Sequence, residues 1–180
     1  LATLARRLTS AERTQLRRTI GRALRTGAEL ELPGTAFVSL YERGRLIGCI
    51  GHASVASALA MAKQDPRFGG ARAPAESHTI AVSLLACPEL GRAQDVVATL
   101  EVGRHGLVAL EAGRVRTVLL PDVARDSMLG PSGMLEALAR KLGVEVGALD
   151  EVATIETERF VFRATRAPSP GTRTATELAA

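Results

Sequence analysis

The segment from Leu46 to His52, with the sequence LIGCIGH, constrains the fold of this chain more than any other. It resembles an apolar strand in which Gly48 and Gly51 stand on either side of Cys49. Glycine inside a strand weakens it, and usually marks a bulge or a place where a ligand or another backbone comes close. We therefore expect a strand whose main chain beside Cys49 is open and easily reached.

Apolar and polar residues alternate through two neighbouring segments, which is typical of strands with one buried face. The first covers residues 35–42 and the second residues 45–51, and Arg43-Gly44 between them is a turn signal. Together they predict a β-hairpin with Cys49 on its second strand. Further strands are predicted at residues 79–85, 100–102, 107–110, 115–120 and 157–164. We expect Cys87-Pro88 to end the first of these.

Three segments carry helix signals. Thr9 and Glu12 fit a capping box, and they predict a helix over residues 10–26 that ends near Gly27. Ser54 can cap a second helix over residues 55–63, and a third is predicted from 132 or 133 to 142, with Gly143 after it. Strands that come mainly as hairpins, with helices between groups of them, favour an α+β fold with a mixed, largely antiparallel sheet and flanking helices.

Positive charge is concentrated at the start of the chain. Residues 1–27 hold seven arginines and one glutamate, which gives +6 there and leaves −2 for the rest of a chain with a net charge of +4. Arg18, Arg22 and Arg25 lie on a different face of the first predicted helix from its apolar stripe. Such a face is typical of a nucleic-acid or acidic-partner patch, or of a solvated helix surface. Because the chain has four Phe and one Tyr, base-stacking platforms are scarce, and we expect no nucleic-acid partner.

The length of 180 residues suits one domain, or two small lobes, with a core that needs no disulfides. Two cysteines, Cys49 and Cys87, favour a reduced, cytoplasmic protein, although a single bridge between them stays open. No apolar run has the length of a membrane span, so we expect no membrane partner. The sequence starts at Leu1 and is expected to be trimmed. Residues 166–180 have the composition of a disordered tail, which leaves residues 1–165 for the domain.

Cys49 is the strongest candidate for a nucleophile. A reactive cysteine needs a thiolate and therefore a lowered pKa, which a nearby cation or helix N-terminus supplies. His52 lies three residues further on, but positions 49 and 52 of a regular strand point to opposite faces, so the two meet only if Gly51 kinks the chain. His78 and His105 are alternative bases. The competing interpretation is a small buried cysteine in a glycine-tight strand.

The segment Asp65-Pro66-Arg67-Phe68 ends the second predicted helix, because Pro66 pushes Asp65 out of helical geometry. It has two interpretations. Asp65 and Arg67 can form local bonds, or Arg67 can stand at the rim of a pocket and receive an anion.

A metal centre fits this sequence poorly. Cys49, His52, His78 and Cys87 are the residues that suggest one, but no second close ligand pair accompanies Cys49 and His52. We therefore predict no metal site. The residues identify no cofactor either, since neither a dinucleotide fingerprint nor a phosphate loop is present.

Five motifs follow one another along the chain: LIGCIG at 46–51, DPRF at 65–68, IAVSLL at 80–85, VGRHGL at 102–107 and LLP at 119–121. In this order they resemble the AMME-type domain family, named after the candidate protein of the AMME contiguous-gene syndrome. Its bacterial members are protein A of the AmmeMemoRadiSam system. The resemblance covers about residues 9–163 and implies a compact α+β unit of two subdomains.

The resemblance also implies a class of function. A cysteine-centred site and a role in nucleic-acid or nucleotide metabolism have been suggested for this family, whose reaction is not established. Its implied partners are Memo-like and radical-SAM proteins. We expect an enzyme or enzyme subunit with Cys49 and His105 as catalytic residues. The binding residues would be Gly48, Gly51, His52, Asp65 and Arg67. The alternative is a non-catalytic protein-binding module of the same assembly.

The chain departs from the family pattern at Ile47, where the family usually has Arg, and at Ala81, where it often has an acid. If these positions face each other across neighbouring antiparallel strands, an apolar contact has replaced an ion pair, and such swaps can be neutral or stabilising. We predict that arrangement. If the family's Arg instead binds a substrate anion, this chain has lost that group.

Overall fold

The computed structural model describes residues 4–68, 78–149 and 151–163. The helices are α1 (Ser10–Thr26), α2 (Val55–Lys63), α3 (Ala93–Thr99), α4 (Pro121–Asp126) and α5 (Pro131–Leu142). The strands are β1 (Glu31–Glu42), β2 (Arg45–Ser54), β3 (His78–Gly91), β4 (Gly106–Glu111), β5 (Arg114–Leu119) and β6 (Glu151–Arg163). The predicted loop at 69–77 and the predicted tail at 166–180 lie outside the described residues.

The six strands form one sheet in the order β2-β1-β3-β6-β4-β5, and every pairing between them is antiparallel. The α+β class is therefore confirmed. The long strands β3 and β6 lie at the centre, and β2 and β5 form the two edges. Because side chains alternate along each strand, the two sides of the sheet carry separate cores.

We call the side that bears Val38, Val82 and Phe160 the helical face. Its first cluster joins α1 and α2 to β1 and β3 through Ile20, Val55, Ala58, Val38, Leu40 and Val82. Its second cluster joins α3, α4 and α5 to β4 and β6 through Val96, Ala124, Leu138, Leu107 and Val152. The two expected subdomains thus share a single sheet.

We call the opposite side, which bears Cys49, Ala153 and Ile155, the cleft face. Its cluster consists of Leu85, Val108, Val118, Leu120, Ala153 and Ile155, with Phe37, Cys49, Leu110 and Val115 packed against it. Both grooves described below lie on this face.

Two buried carboxylates of β6, Glu156 and Glu158, lie between the two clusters of the helical face. Arg7 and Arg13 form ion pairs with Glu156 and Glu158, respectively. Arg104 adds a second cation to Glu156, with 2.8 Å between Nε and Oε1. The hydrogen bond from Arg7 is the main cause of the lowered pKa of Glu156. Buried acids at this place are thus compensated by arginines from distant parts of the chain.

Two arginines of α1 protect an open stretch of β6. The last pairing of β4 is Gly106 with Ile155, so the rest of β6 has no strand on that side. Arg13 stacks over Phe160 and Arg17 over Phe162, each 5.1 Å from the ring centre. Their Nη2 atoms donate to the carbonyls of residues 159 and 161, at 2.8 and 3.0 Å. Part of the basic helix therefore has a structural role. The absence of a nucleic-acid partner stays a prediction.

The capping box, the extent of α1 and the start of α2 match the sequence prediction. The prediction that Cys87-Pro88 ends β3 is wrong. These two residues form a bulge opposite Ile155, with Cys87 at a φ of 50°, and the strand continues to Gly91. Two backbone hydrogen bonds between Leu4 and β3 stabilise this bulge. The N–H of Leu4 donates to the carbonyl of Leu85 at 2.8 Å, and the N–H of Cys87 donates to the carbonyl of Leu4 at 3.0 Å. Residues 100–102 form no strand, and α3 and α4 were missed.

Candidate functional site

Cys49 lies on the edge strand β2, directly opposite Ser39 of β1. The Ser39 hydroxyl lies 3.4 Å from the Cys49 sulfur and donates a hydrogen bond to it. The backbone N–H of Cys49 points away from β1, toward the outside of the sheet, where Asp65 accepts it. Cys49 is half-buried, and its thiol packs against the apolar cluster of the cleft face.

Asp65 and Arg67 bind the main chain of Cys49 on its outer side. Oδ2 of Asp65 accepts the N–H of Cys49 at 3.0 Å, and Nη2 of Arg67 donates to the Cys49 carbonyl. Asp65 also binds Arg67 through Nε at 2.9 Å and Nη2 at 2.7 Å. The Asp65 side chain is 1% exposed and that of Arg67 is 54% exposed. Of the two interpretations of this segment, local bonding is the one that the geometry shows.

The glycine pattern predicted an open main chain beside Cys49. The structure shows that it is closed at Gly48. A Cβ atom on Gly48 would stand 1.9 Å from the carbonyl oxygen of Ala62, so this glycine exists because α2 packs directly on β2. A Cβ atom on Gly51 would stand 2.8 Å from the ring of Phe37. Gly51 itself is exposed. Of these two positions, Gly48 is therefore closed to a ligand and Gly51 is accessible.

Burial raises the pKa of the Cys49 thiol. The hydrogen bond from Ser39 and the charges of Arg67 and Lys141 act in the opposite direction but are weaker. A nucleophilic cysteine needs the reverse balance, with cations that outweigh desolvation. The environment of Cys49 therefore stabilises the neutral thiol.

All three histidines of the chain lie on the helical face, away from the thiol. His52 pairs with Ala36, and its Nδ1 accepts the N–H of Ser54 at 3.0 Å. His78 is buried with its Nε2 atom 3.6 Å from Glu42, its pairing partner on β1.

His105 accepts the N–H of Glu101 through Nδ1 at 3.1 Å and lies 3.9 Å from Glu156, also on the helical face. The structure therefore brings Cys49, Asp65 and Arg67 together, but it does not bring His52 or His105 to the thiol.

A cleft of about 340 Å³ lies between Cys49 and helix α4. Its polar lining includes Ser39, Tyr41, Arg45, Cys49, Asp122, Asp126 and Ser127. Arg159 stands beside it, with Nε 2.9 Å from Oδ2 of Asp122 and Nη2 3.3 Å from the Tyr41 hydroxyl. The cleft thus combines hydroxyl groups, a thiol, the guanidinium of Arg45 and two carboxylates, of which Asp122 is fixed by an ion pair.

Ile47 and Ala81 do not face each other, so their predicted contact is wrong. Strand β1 lies between β2 and β3, and Ile47 is the extra residue of a bulge between the pairs that Leu40 and Tyr41 form with β2. The bulge turns Ile47 into the first cluster of the helical face, where it is 6% exposed. Ala81 pairs with Ser39 and therefore lies on the cleft face.

Sequence reasoning missed Lys141 and Asp122. Nζ of Lys141 donates to the carbonyl of Val118 at 2.7 Å, and its charge acts on Cys49. Burial is the main cause of the lowered pKa of Lys141. The composition could have drawn attention to Lys141, because Lys63 and Lys141 are the two lysines among 23 basic residues. Asp122 gave no signal, since helix α4 was not predicted.

Among the described residues, no three His, Cys, Asp or Glu side chains come together in a way that could hold a metal ion. In the same part of the chain, no helix has the length and apolar character needed to cross a membrane.

Comparisons with known proteins agree with this fold. Archaeal relatives include a protein of Methanosarcina acetivorans, 34% identical over 126 residues, and one of Methanococcoides burtonii, 36% identical over 129 residues. These alignments cover 62% and 63% of this chain, and 62% of each relative, so the chain spans about three fifths of the length of the curated relatives it matches. The crystal structure of the uncharacterized protein PH0010 from Pyrococcus horikoshii is similar, with a TM-score of 0.63 and 25% identity over 84% of this chain and 90% of that one.

The AMMECR1 family model matches residues 2–166, which include all the strands and helices described above. The match agrees with the order of the five sequence motifs. This chain therefore belongs to the AMMECR1 family.

Proposed function

We propose that this AMMECR1-family protein is a non-catalytic binding module, and that the cleft beside Cys49 is its recognition surface. One observation carries the proposal: the thiol lies on the face of the sheet that holds none of the three histidines, in surroundings that raise its pKa. A cysteine with no histidine beside it and without a stabilised thiolate is poorly suited to nucleophilic catalysis.

The cleft is suited to binding a polar or basic group. Asp122 and Asp126 place two carboxylates at its wall, and the hydroxyls of Ser39 and Tyr41 can both donate and accept hydrogen bonds. Asp126 is 45% exposed and its ion pair with Arg125 lies at the surface, so it can exchange partners with little penalty. Arg45 also lines the cleft, so a lysine or arginine side chain of a partner protein fits at the end that carries Asp126.

The partners that we propose for this surface are the Memo-like and radical-SAM proteins to which the family resemblance points. The rival hypothesis is a cysteine-dependent enzyme or enzyme subunit acting with the same partners. The two differ in what they require of Cys49, because the enzyme needs a reactive thiolate and the binding module does not.

The first experiment measures the rate of alkylation of Cys49 by iodoacetamide against pH, in a Cys87→Ser variant. The binding module predicts a rate at pH 7 no faster than that of an unperturbed thiol in a denatured control. A rate well above the control, with a thiol pKa below about 7.5, would favour the enzyme and overturn the proposal.

The second experiment measures binding of the purified Memo-like and radical-SAM proteins. Asp126→Asn is expected to weaken binding of the true partner about threefold to tenfold, because a charge pair across the interface is lost. Glu111→Gln, which removes a surface acid on β4, is expected to change nothing. If neither protein binds, or if both substitutions act equally, the cleft is not the recognition surface.

A further inference from the structure

A second and larger groove, of about 730 Å³, lies at the other end of the cleft face. It reaches Thr35 near the start of β1, whereas the cleft beside Cys49 reaches Tyr41 near the end of that strand. Its apolar wall consists of Pro88, Val108, Leu110, Val115, Ala153 and Ile155. The volume is within the range of small-molecule sites. This groove is separate from the surface that the proposed function uses.

Two bulges shape its wall. Arg116 is the extra residue in the pairing of β4 with β5, and this bulge places Val115 directly opposite Leu110. The second bulge, at Cys87-Pro88, carries Pro88 into the wall opposite Ile155. Bulges of this kind re-aim side chains and are frequent beside binding sites. The backbone thus departs from regular strand geometry at the two places that complete the wall of the groove.

The charged group of the groove is Arg114, at the start of β5. Arg114 is exposed and forms no ion pair with any described residue. Its neighbour Arg116, two residues on, pairs with Glu111 at 2.9 Å. The nearby acid Glu151 accepts the N–H of Gly113 at 3.4 Å, so its carboxylate is directed at the turn. Among the described residues, Arg114 is therefore a cation without an ion pair, at the rim of an apolar groove.

We propose that this groove binds a single-chain amphiphile with an anionic head, of the fatty-acid type. Its chain would lie on Pro88, Leu110 and Val115, which keep exposed apolar surface over the buried side chains of Val108 and Ile155. Burial of that surface drives binding. Its carboxylate would meet Arg114, whose planar guanidinium can hold both oxygens at once. The hydroxyl of Thr35 provides a further donor on the opposite wall. An apolar wall with few convergent polar groups is the usual composition of such a site.

The experiment uses displacement of a dansyl-labelled fatty acid from the full chain by dodecanoic acid and by dodecanol. We expect saturable displacement, with dodecanoic acid stronger than dodecanol. Arg114→Gln should weaken dodecanoic acid about fivefold to tenfold and leave dodecanol unchanged. Arg116→Gln, the matched control on the same strand, should change neither. Equal binding of acid and alcohol, equal effects of the two arginine substitutions, or no saturable displacement would each overturn the proposal.

A second measurement locates the ligand without relying on affinity. The chain has no tryptophan, so Val115→Trp places a single fluorophore in the groove wall. Dodecanoic acid should change its emission along the same saturation curve as the displacement. Val144→Trp, at an exposed position outside the groove, should show no change. The same response at both positions would indicate nonspecific adsorption and overturn the assignment of the site.

Discussion

The carboxylate of Asp65 accepts the backbone N–H of Cys49 at 3.0 Å, on the side of β2 where a sheet would continue. Arg67, held by the same carboxylate, donates to the Cys49 carbonyl. The two side chains thus satisfy the groups that an adjoining strand would bind. Unpaired edges invite pairing with other chains, so this arrangement ends the sheet and fixes the cysteine backbone.

Asp65→Asn should reduce the free energy of unfolding by about 1–3 kcal/mol, because a buried charged acceptor is lost. The effect is below that of a fully buried ion pair, since Arg67 is 54% exposed and can return to water. Urea unfolding gives the value. Asp126→Asn, at an exposed position, should stay within about 0.5 kcal/mol of the wild type. A loss for Asp65→Asn no larger than for this control would contradict the structural role.

Stability should fall in acid. Arg67 is the main cause of the low pKa of Asp65, about 2 in the folded protein against about 3.9 in an unfolded chain. A depressed pKa contributes stability above the unfolded value, and that contribution is lost as pH falls from about 4 toward 2. Glu156, whose pKa is also lowered, acts in the same direction. Urea unfolding between pH 6 and pH 2 measures the slope, which Asp65→Asn should reduce. An unchanged slope in that variant would count against Asp65.

Gly48→Ala should destabilise the protein by more than about 3 kcal/mol or prevent folding, because its Cβ atom would stand 1.9 Å from the backbone oxygen of Ala62. Gly51→Ala should cost less, since it meets the movable ring of Phe37. Gly130→Ala is the control, with nothing within 4 Å of the added atom. Thermal unfolding ranks the three variants. Similar melting temperatures for Gly48→Ala and Gly130→Ala would show that α2 does not press on β2.

Arg17→Ala should cost about 1 kcal/mol, because the residue stacks on Phe162 and binds the carbonyl of Val161 at 3.0 Å. Arg18→Ala, at the next position on α1, removes an exposed arginine and should be nearly neutral. Chemical denaturation of the pair separates a structural arginine from a solvated one. Equal effects would mean that the contacts with β6 add nothing measurable.

Ile47→Arg should destabilise the protein by about 2–4 kcal/mol, because it places a charge in the first cluster of the helical face. Ala81→Glu should not recover this loss, since Ala81 lies on the cleft face with β1 between the two positions. The free energies of the single substitutions should add to within about 0.5 kcal/mol in the double variant. A coupling above about 1 kcal/mol would restore the predicted contact.

Local signals predicted much of this fold. The capping box at Thr9 and the αL glycine at Gly143 depend on neighbouring residues, and both were predicted correctly. Helix α4 directly follows the strand predicted at residues 115–120 and was missed, although proline, as at position 121, suits the first turn of a helix. Strand β3 was cut short because its bulge is stabilised by Leu4, some eighty residues earlier in the sequence.

The site was less predictable than the fold. Cys49, Asp65 and Arg67 lie in two neighbouring motifs of the chain, and the structure brings them into contact. The separation of His105 from the thiol depends on which face of the sheet each occupies, and alternation along one strand does not reveal that. The contact predicted for Ile47 was wrong for a related reason. One extra residue in β2 changes the face of the sheet on which the Ile47 side chain lies.

The ion pairs of Glu156 and Glu158 have a consequence for synthesis on the ribosome. Arg7 and Arg13 leave the ribosome well before their partners, which lie 149 and 145 residues later, in β6. Contacts of such long range make folding slow, because the loop must close before they contribute. These ion pairs therefore cannot form until nearly the whole domain has emerged, although α1 can pack earlier on α2, β1 and β3. Until then the edge of β3 that pairs with β6 stays exposed, and a nascent chain at this stage is a natural client for chaperones.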